Sequence, residues 1–249
     1  MPYSRLVDQF VDMLSRCGSD AELAALLGDV ARELGFSYFA LLHHASLTRR
    51  GGRLIRIDTY PQGWEEELDA RGLMGADPVH LASQRTNTGF AWSELAALVP
   101  LGPAQRDVLE RSLRFGIGTG FTVPVNVPGE PGGSCSFAVR SGLDLPHARL
   151  RCAETIGAHG FRAARRIHGY PACGRPPRLS RRQRECLRLV AAGKTDWEIA
   201  RILGLGVETA RQYVKGARAA YDVASRTQLA VHGLRDALIS FDEAIPPSG

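Results

Sequence analysis

The 249-residue chain is 44% hydrophobic and 23% charged, a globular balance that argues against disorder, and it is long enough for two domains. Residues 1–173 hold 18 Lys and Arg against 18 Asp and Glu, whereas residues 174–249 hold 13 against 8, so the whole net charge of +5 lies in the C-terminal part. A basic segment joined to a neutral one points to nucleic acid as its partner. No apolar run approaches the ~20 residues of a bilayer span, and MPYSRLVDQF lacks the pattern of a secretory signal, so a cytoplasmic protein with no membrane partner is expected.

Leu6, Val7, Phe10, Val11 and Leu14 recur at helical spacing, as do Leu23, Leu26, Leu27, Val30 and Leu34, a second helix for which Asp20 is the expected N-cap. FSYFALLHHA (36–45) and RLIRIDTY (53–60) read as strands, as do FTVPVNV (121–127) and SCSFAVR (134–140), joined by the turn-like PGEPGG. In the first of these, at most one of His43 and His44 is expected to face inward. Pro61 is placed at the start of a helix carrying Tyr60 and Trp64 on one face. Asp77 reads as the N-cap of a helix beginning at Pro78, and Trp64 and Trp92 read as large core side chains. A long helix over about 145–167 ends the segment. Helices before, between and after an antiparallel sheet predict an α+β domain over residues 1–167, built as an α-β-α sandwich.

HGYPACGRPPR (168–178) holds three prolines and two glycines, which continue neither a helix nor a central strand, and is read as a linker. Residues 179–249 are expected to be all helical. Ser180 with Gln183, and Thr195 with Glu198, are capping-box pairs, and Gly193 and Gly204 are helix stops. Helices are predicted over about 207–221 and 226–238. Two helices separated by LGLG have the spacing of a helix-turn-helix. In the later one Val207, Ala210, Val214 and Ala217 form a packing stripe, leaving Thr209, Arg211, Tyr213, Lys215 and Arg218 for a DNA groove. Arg178, Arg181, Arg182, Arg184 and Arg188 add charge for backbone contacts.

The run LSRRQRECLRLVAAGKTDWEIARIL, with VETAR and RTQLAV after it, resembles the LuxR-type helix-turn-helix, with Glu185, Leu187, Gly193, Lys194, Glu198, Ile199, Ala200, Leu203, Thr209, Val214 and Val223 in register. Gly206 stands where that family usually has a Ser or Thr cap, and Gly216 where it often has Asn. The resemblance implies that the helix bearing Thr209–Arg218 enters the major groove of double-stranded DNA. Further upstream, Tyr60, Trp64, Asp77-Pro78 and Trp92, continued by Phe115, Gly116, Gly120 and Pro124, resemble the autoinducer-binding domain of LuxR-type quorum-sensing receptors.

That second resemblance implies an N-acyl homoserine lactone as effector. Trp64 would donate to the lactone carbonyl, Asp77 would accept the amide N–H, and Tyr60 would donate to the acyl carbonyl. Ser136 would reach the amide, and Trp92 would wall the lactone ring. Leu68 stands where many relatives carry an aromatic residue. It also implies a homodimer on inverted-repeat sites, with RNA polymerase as a further partner. A receptor for a different small molecule, or a ligand-independent dimeric DNA-binding regulator, remains open as an alternative.

An enzyme is not expected. There is no G-x-S-x-G elbow, no HExxH and no phosphate-binding glycine loop. The five cysteines, Cys17, Cys135, Cys152, Cys173 and Cys186, form no C-x-x-C pair and are read as small apolar residues, so neither a metal nor a cofactor is predicted.

Overall fold

The computed structural model describes residues 2–44, 54–170 and 176–245, with side chains from Val7 onward. The side chain of Leu6, the expected strand ends Ala45 and Arg53, linker residues 171–175 and with them Cys173 lie outside the described residues. The chain divides into two compact units at Ala172 and Cys173.

In the N-terminal unit, α1 (Pro2–Arg16) and α2 (Asp20–Glu33) lead into β1 (Tyr38–His43) and β2 (Arg56–Asp58). Then come α3 (Trp64–Ala70), α4 (Pro78–Ser83), β3 (Phe90–Ala91), α5 (Leu95–Leu98) and α6 (Pro103–Arg114). A hairpin of β4 (Ile117–Val125) and β5 (Gly133–Arg140) is followed by α7 (Leu150–Ile167). The five strands form one antiparallel sheet in the order β2-β1-β5-β4-β3.

Successive strand residues face opposite sides. Phe39 and Leu41, Phe121 and Val123, and Cys135, Phe137 and Val139 pack under α1, α2 and α7 in the main core. A Cβ on Gly157 would come within 3.0 Å of Val123, so this bare position on α7 lets the helix lie close against the sheet. Ala138, and Ile117 beyond the register shift between Ile117 and Gly120, face α3 and α6, while α4 and α5 carry a separate apolar cluster around Val79, Phe90 and Leu95. The α-β-α sandwich is therefore the observed architecture.

Several local expectations differ. Ser19, not Asp20, caps α2: its extended backbone brings the hydroxyl to accept from the Glu22 N–H at 3.3 Å, while the Asp20 carboxylate meets His168 at 3.0 Å. The last helix starts at Leu150, after a 3-10 turn over His147–Arg149, because Pro146 holds the residue before it away from helical geometry. Tyr60 and Trp64 do not share a helix. The Pro61 carbonyl accepts from the Trp64 N–H at 3.2 Å in a turn, and α3 begins at Trp64 after Gly63 at φ +85°. Both His43 and His44 are enclosed, because helices cover both faces of the sheet: His43 rests edge-on against Phe161 and Tyr170, and His44 stacks on His80.

The C-terminal unit comprises α8 (Arg181–Ala191), α9 (Asp196–Leu203), α10 (Val207–Ala220), α11 (Arg226–Arg235) and α12 (Phe241–Ala244). Both expected capping boxes close, Ser180 with Gln183 and Thr195 with Glu198. Gly193 (φ +75°) and Gly204 (φ +64°) take left-handed conformations at the stops. Two further boxes, Ser225 with Gln228 and Ser240 with Glu243, start α11 and α12. The fourth helix ends at Arg235, earlier than expected, where Ala237 turns the chain at φ +52°. Leu179, Leu187, Ala217, Tyr221, Leu229 and Ile239 make one small core, and Cys186, Val190, Ile199, Ala200, Ala210 and Val214 another.

Candidate functional site

The sheet face opposite the main core and the helices over it line a cavity of about 180 Å³. All five ligand residues expected from the sequence line it, and each arrives from a different place in the fold. Tyr60 follows β2, Trp64 opens α3, Asp77 precedes α4, Trp92 follows β3 and Ser136 lies on β5. Leu68 also lines it and is buried.

Asp77 combines two tasks in one side chain. Its Oδ1 accepts the Val79 N–H at 2.8 Å and so caps α4, as the sequence predicts, while Oδ2 lies 3.6 Å from His80 Nε2. Trp92 donates its indole N–H to Thr122 Oγ1 at 2.9 Å, and Thr122 shares a 2.8 Å hydrogen bond with Ser136. That pairing leaves Trp92 to act through its ring face. A Cβ on Gly120 would fall 2.7 Å from the Trp92 ring and 2.8 Å from the Phe137 carbonyl, so only glycine lets the indole lie this close to β4. Burial of the Tyr60 phenol, reinforced by the Asp77 and Asp58 carboxylates, pushes its pKa well above the ordinary value. The phenol is a neutral O–H donor. Trp64 rests against Phe115 with ring centroids 5.5 Å apart.

Arg56 and His80 line this cavity and Thr122 supports it through Trp92 and Ser136; none of the three was anticipated. Thr122 falls in a continuous apolar strand, where a threonine reads as an ordinary β residue. His80 is brought beside Asp77 by one helical turn, a spacing visible in D-P-V-H once Asp77 is taken as a cap. His44 Nε2 and Ser134 Oγ share a 2.8 Å hydrogen bond, and burial of His44, with His80 and His43 nearby, holds its pKa well below the usual histidine value.

In the C-terminal unit α9 and α10 pack as a helix-turn-helix over Ile199, Ala200, Ala210 and Val214. Gly206 caps α10 with no side-chain bond, and Val207, expected in the packing stripe, is the first residue of the helix and 38% exposed. Thr209, Arg211 and Lys215 are exposed. Arg211 is held by Glu208 at 2.7 Å, and Glu208 also accepts from Gln212 at 3.1 Å, so residues 208, 211, 212 and 215 share one polar face. Tyr213 and Arg218 are half-buried. Tyr213 packs on the Cys186 cluster, and the Arg218 guanidinium donates to the Ala224 carbonyl, closing the turn between α10 and α11. On α8, Arg181 and Arg182 pair with Glu185 at 3.0 and 2.9 Å, and Arg188 meets Glu243 at 3.2 Å; all are exposed pairs of small energetic weight. Cys17, Cys135, Cys152 and Cys186 are free thiols, and among the described residues no three His, Cys, Asp or Glu side chains gather as metal ligands.

Two family models match the chain: the autoinducer binding domain over residues 19–167 and the bacterial regulatory proteins of the luxR family over residues 177–232. The transcriptional activator protein TraR of Rhizobium radiobacter is 25% identical over 240 residues, covering 94% of this chain and 98% of its own length. The crystal structure of Escherichia coli SdiA superposes with a TM-score of 0.64 at 20% identity, covering 96% of this chain and 99% of SdiA. That of CepR2 from Burkholderia cenocepacia, described as an N-acylhomoserine lactone dependent LuxR family transcription factor, gives 0.54 at 16% identity, covering 69% of this chain and all of CepR2. The N-terminal match spans more than half of the sequence and the second supplies the DNA-binding unit, so the chain belongs to the LuxR-type transcription regulators that carry an autoinducer-binding domain.

Proposed function

We propose that this regulator senses an N-acyl homoserine lactone in the cavity of its N-terminal unit, and that occupancy sets its affinity for promoter DNA. The observation that carries the reading is the convergence of Tyr60, Trp64, Asp77, Trp92 and Ser136 on one cavity from five separate elements. A neutral phenol, an indole, a carboxylate and a hydroxyl facing an apolar space suit a ligand with carbonyls, one amide N–H and an alkyl chain. Each CH₂ of that chain removed from water contributes about 0.8 kcal/mol, so pocket depth selects chain length. Residues 1–167 then form the ligand-binding and dimerisation domain, 168–178 the linker, and 179–249 the DNA-binding domain. The homodimer places two copies of α10 on an inverted repeat in the cytoplasm, where RNA polymerase is the partner that reads the outcome. The decisive experiment is mass spectrometry of small molecules retained by the protein when it is produced alongside a range of N-acyl homoserine lactones. Retention of one of them is expected; retention of none, with folded protein, overturns the ligand assignment.

The DNA face carries its own prediction. Arg211→Ala and Lys215→Ala should each weaken operator binding while ligand affinity is unchanged, and loss of one phosphate contact at Lys215 should flatten the log–log salt dependence by about one unit. Arg218→Ala should instead lower the melting temperature, because its guanidinium closes a turn. Wild-type DNA affinity in both Arg211→Ala and Lys215→Ala would place the groove contact on another surface.

A further inference from the structure

We propose that His80 is a positioning residue for the ligand's amide, holding Oδ2 of Asp77 at the cavity wall from a stack on His44; this rests on the homoserine lactone reading above. Asp77 and His80 both line the cavity, and each side chain is only 12% exposed. The Val79 N–H occupies Oδ1 at 2.8 Å, so Oδ2 is the oxygen left for a ligand. His80 Nε2 stands 3.6 Å from it, too long for a hydrogen bond and close enough for the charge to attract an N–H dipole. Beside a carboxylate the imidazole presents this nitrogen as N–H. A charged oxygen enclosed among apolar side chains is costly without such a partner, and the partner it has fixes where it points.

The His80 ring is fixed in its turn. It stacks on His44 with centroids 4.1 Å apart and planes 18° from parallel, so neither ring can turn without losing the face of the other. His44 directly follows β1, and its Nε2 shares a 2.8 Å hydrogen bond with Ser134 Oγ on β5. Burial holds the His44 pKa well below the usual histidine value, so His80 rests on an uncharged ring. Ser134 and Ser136 are two residues apart on β5 and share one face of the sheet. The carboxylate of Asp77 and the hydroxyl of Ser136, which come to the ligand's amide from different elements, are thereby tied to a single strand. An acceptor ordered before binding spares the ligand the cost of ordering it.

Titration of the full-length protein with N-acyl homoserine lactones of increasing chain length selects the tightest amide probe. Its affinity is then compared with that of the matching acyl ester of α-hydroxy-γ-butyrolactone, in which an oxygen replaces the amide N–H. The wild type is expected to prefer the amide by about tenfold or more, the worth of a hydrogen bond to a carboxylate. His80→Phe keeps a ring to stack on His44 but has no N–H, so the preference should shrink about threefold or more. A side chain that only packs would weaken both probes alike and leave their ratio unchanged. His80→Gln carries a side-chain N–H and should retain more of the preference than His80→Phe. His80→Leu, which also lacks the donor, takes the place of His80→Phe if that variant fails to fold. Equal binding of the two probes by the wild type overturns the proposal and leaves the lactone reading intact. An undiminished preference in the folded donor-less variant overturns it as well, as does a smaller preference in His80→Gln than in that variant. Binding of none of the amides removes the lactone reading and this inference together.

Discussion

Asp77→Asn is expected to reduce ligand sensitivity by about tenfold or more while the protein stays folded. The two oxygens of this carboxylate have separate work: Oδ1 caps α4 through the Val79 N–H, and Oδ2 faces His80 in the cavity lining. Asn keeps a carbonyl oxygen for the cap, and Asn and Asp cap almost equally well, so the melting temperature should move little. What Asn loses is the anionic acceptor for a ligand amide N–H, worth about 1.5–3 kcal/mol when desolvated, and its amide group can present an N–H to that donor. Trp64→Phe should behave alike, since it retains the contact with Phe115 and removes the indole donor. Dose–response curves of the two variants beside wild type, each checked by thermal unfolding, give the answer. Wild-type sensitivity in both folded variants would reduce Asp77 to a cap and Trp64 to a core residue, and the amide-anchoring assignment would be abandoned.

Leu187→Ala should abolish DNA binding by unfolding the C-terminal unit. Leu187 is fully buried in a core of only a few side chains, against Ala217, Tyr221, Leu229 and Ile239, and its methyls lie 3.1 Å from where a Cβ on Gly233 would stand. Removing such a side chain costs about 2–5 kcal/mol, and a single small core of this size supplies about 3–5 kcal/mol in all. A fragment starting at Gly174 should show cooperative helical unfolding by circular dichroism, since its helices bring their own caps and cores. It should bind DNA more weakly than the full chain, because it lacks the dimer contacts proposed for the N-terminal unit. The same fragment with Leu187→Ala should lack the transition. A wild-type fragment without any transition would show that the boundary at residues 168–178 is misplaced.

The two halves of the chain differ in how openly their sequences speak. In the C-terminal half nearly every element is announced locally, because capping boxes, glycine stops and helical periodicity act within a few residues of one another. The same locality explains why the boxes at Ser225 and Ser240 were available to be read, and why the early end of α11 was not: Ala237 in a left-handed conformation carries no mark in its side chain. Exposure on α10 was less legible. Five polar positions looked equivalent, and only packing separates exposed Thr209, Arg211 and Lys215 from Tyr213, which lies on a core, and Arg218, which ties a turn.

For the N-terminal half, the alternation of apolar residues was enough to specify strands, long helices and an α-β-α sandwich, since a sheet with two buried faces must be covered twice. The spacing of Tyr60, Trp64, Asp77 and Trp92 named candidate ligand residues through likeness to a family. It misjudged the local geometry, putting Tyr60 and Trp64 on one helix and Asp20 at a cap that Ser19 holds. Their meeting in one cavity depends on strand pairing: β5 lies between β1 and β4, which sets Ser136 opposite both Ala40 and Thr122. The chain from Trp92 through Thr122 to Ser136 arises from contacts between residues apart in sequence. Local physics writes itself into neighbouring residues; a cavity is made by side chains whose only relation is the register of the sheet that carries them.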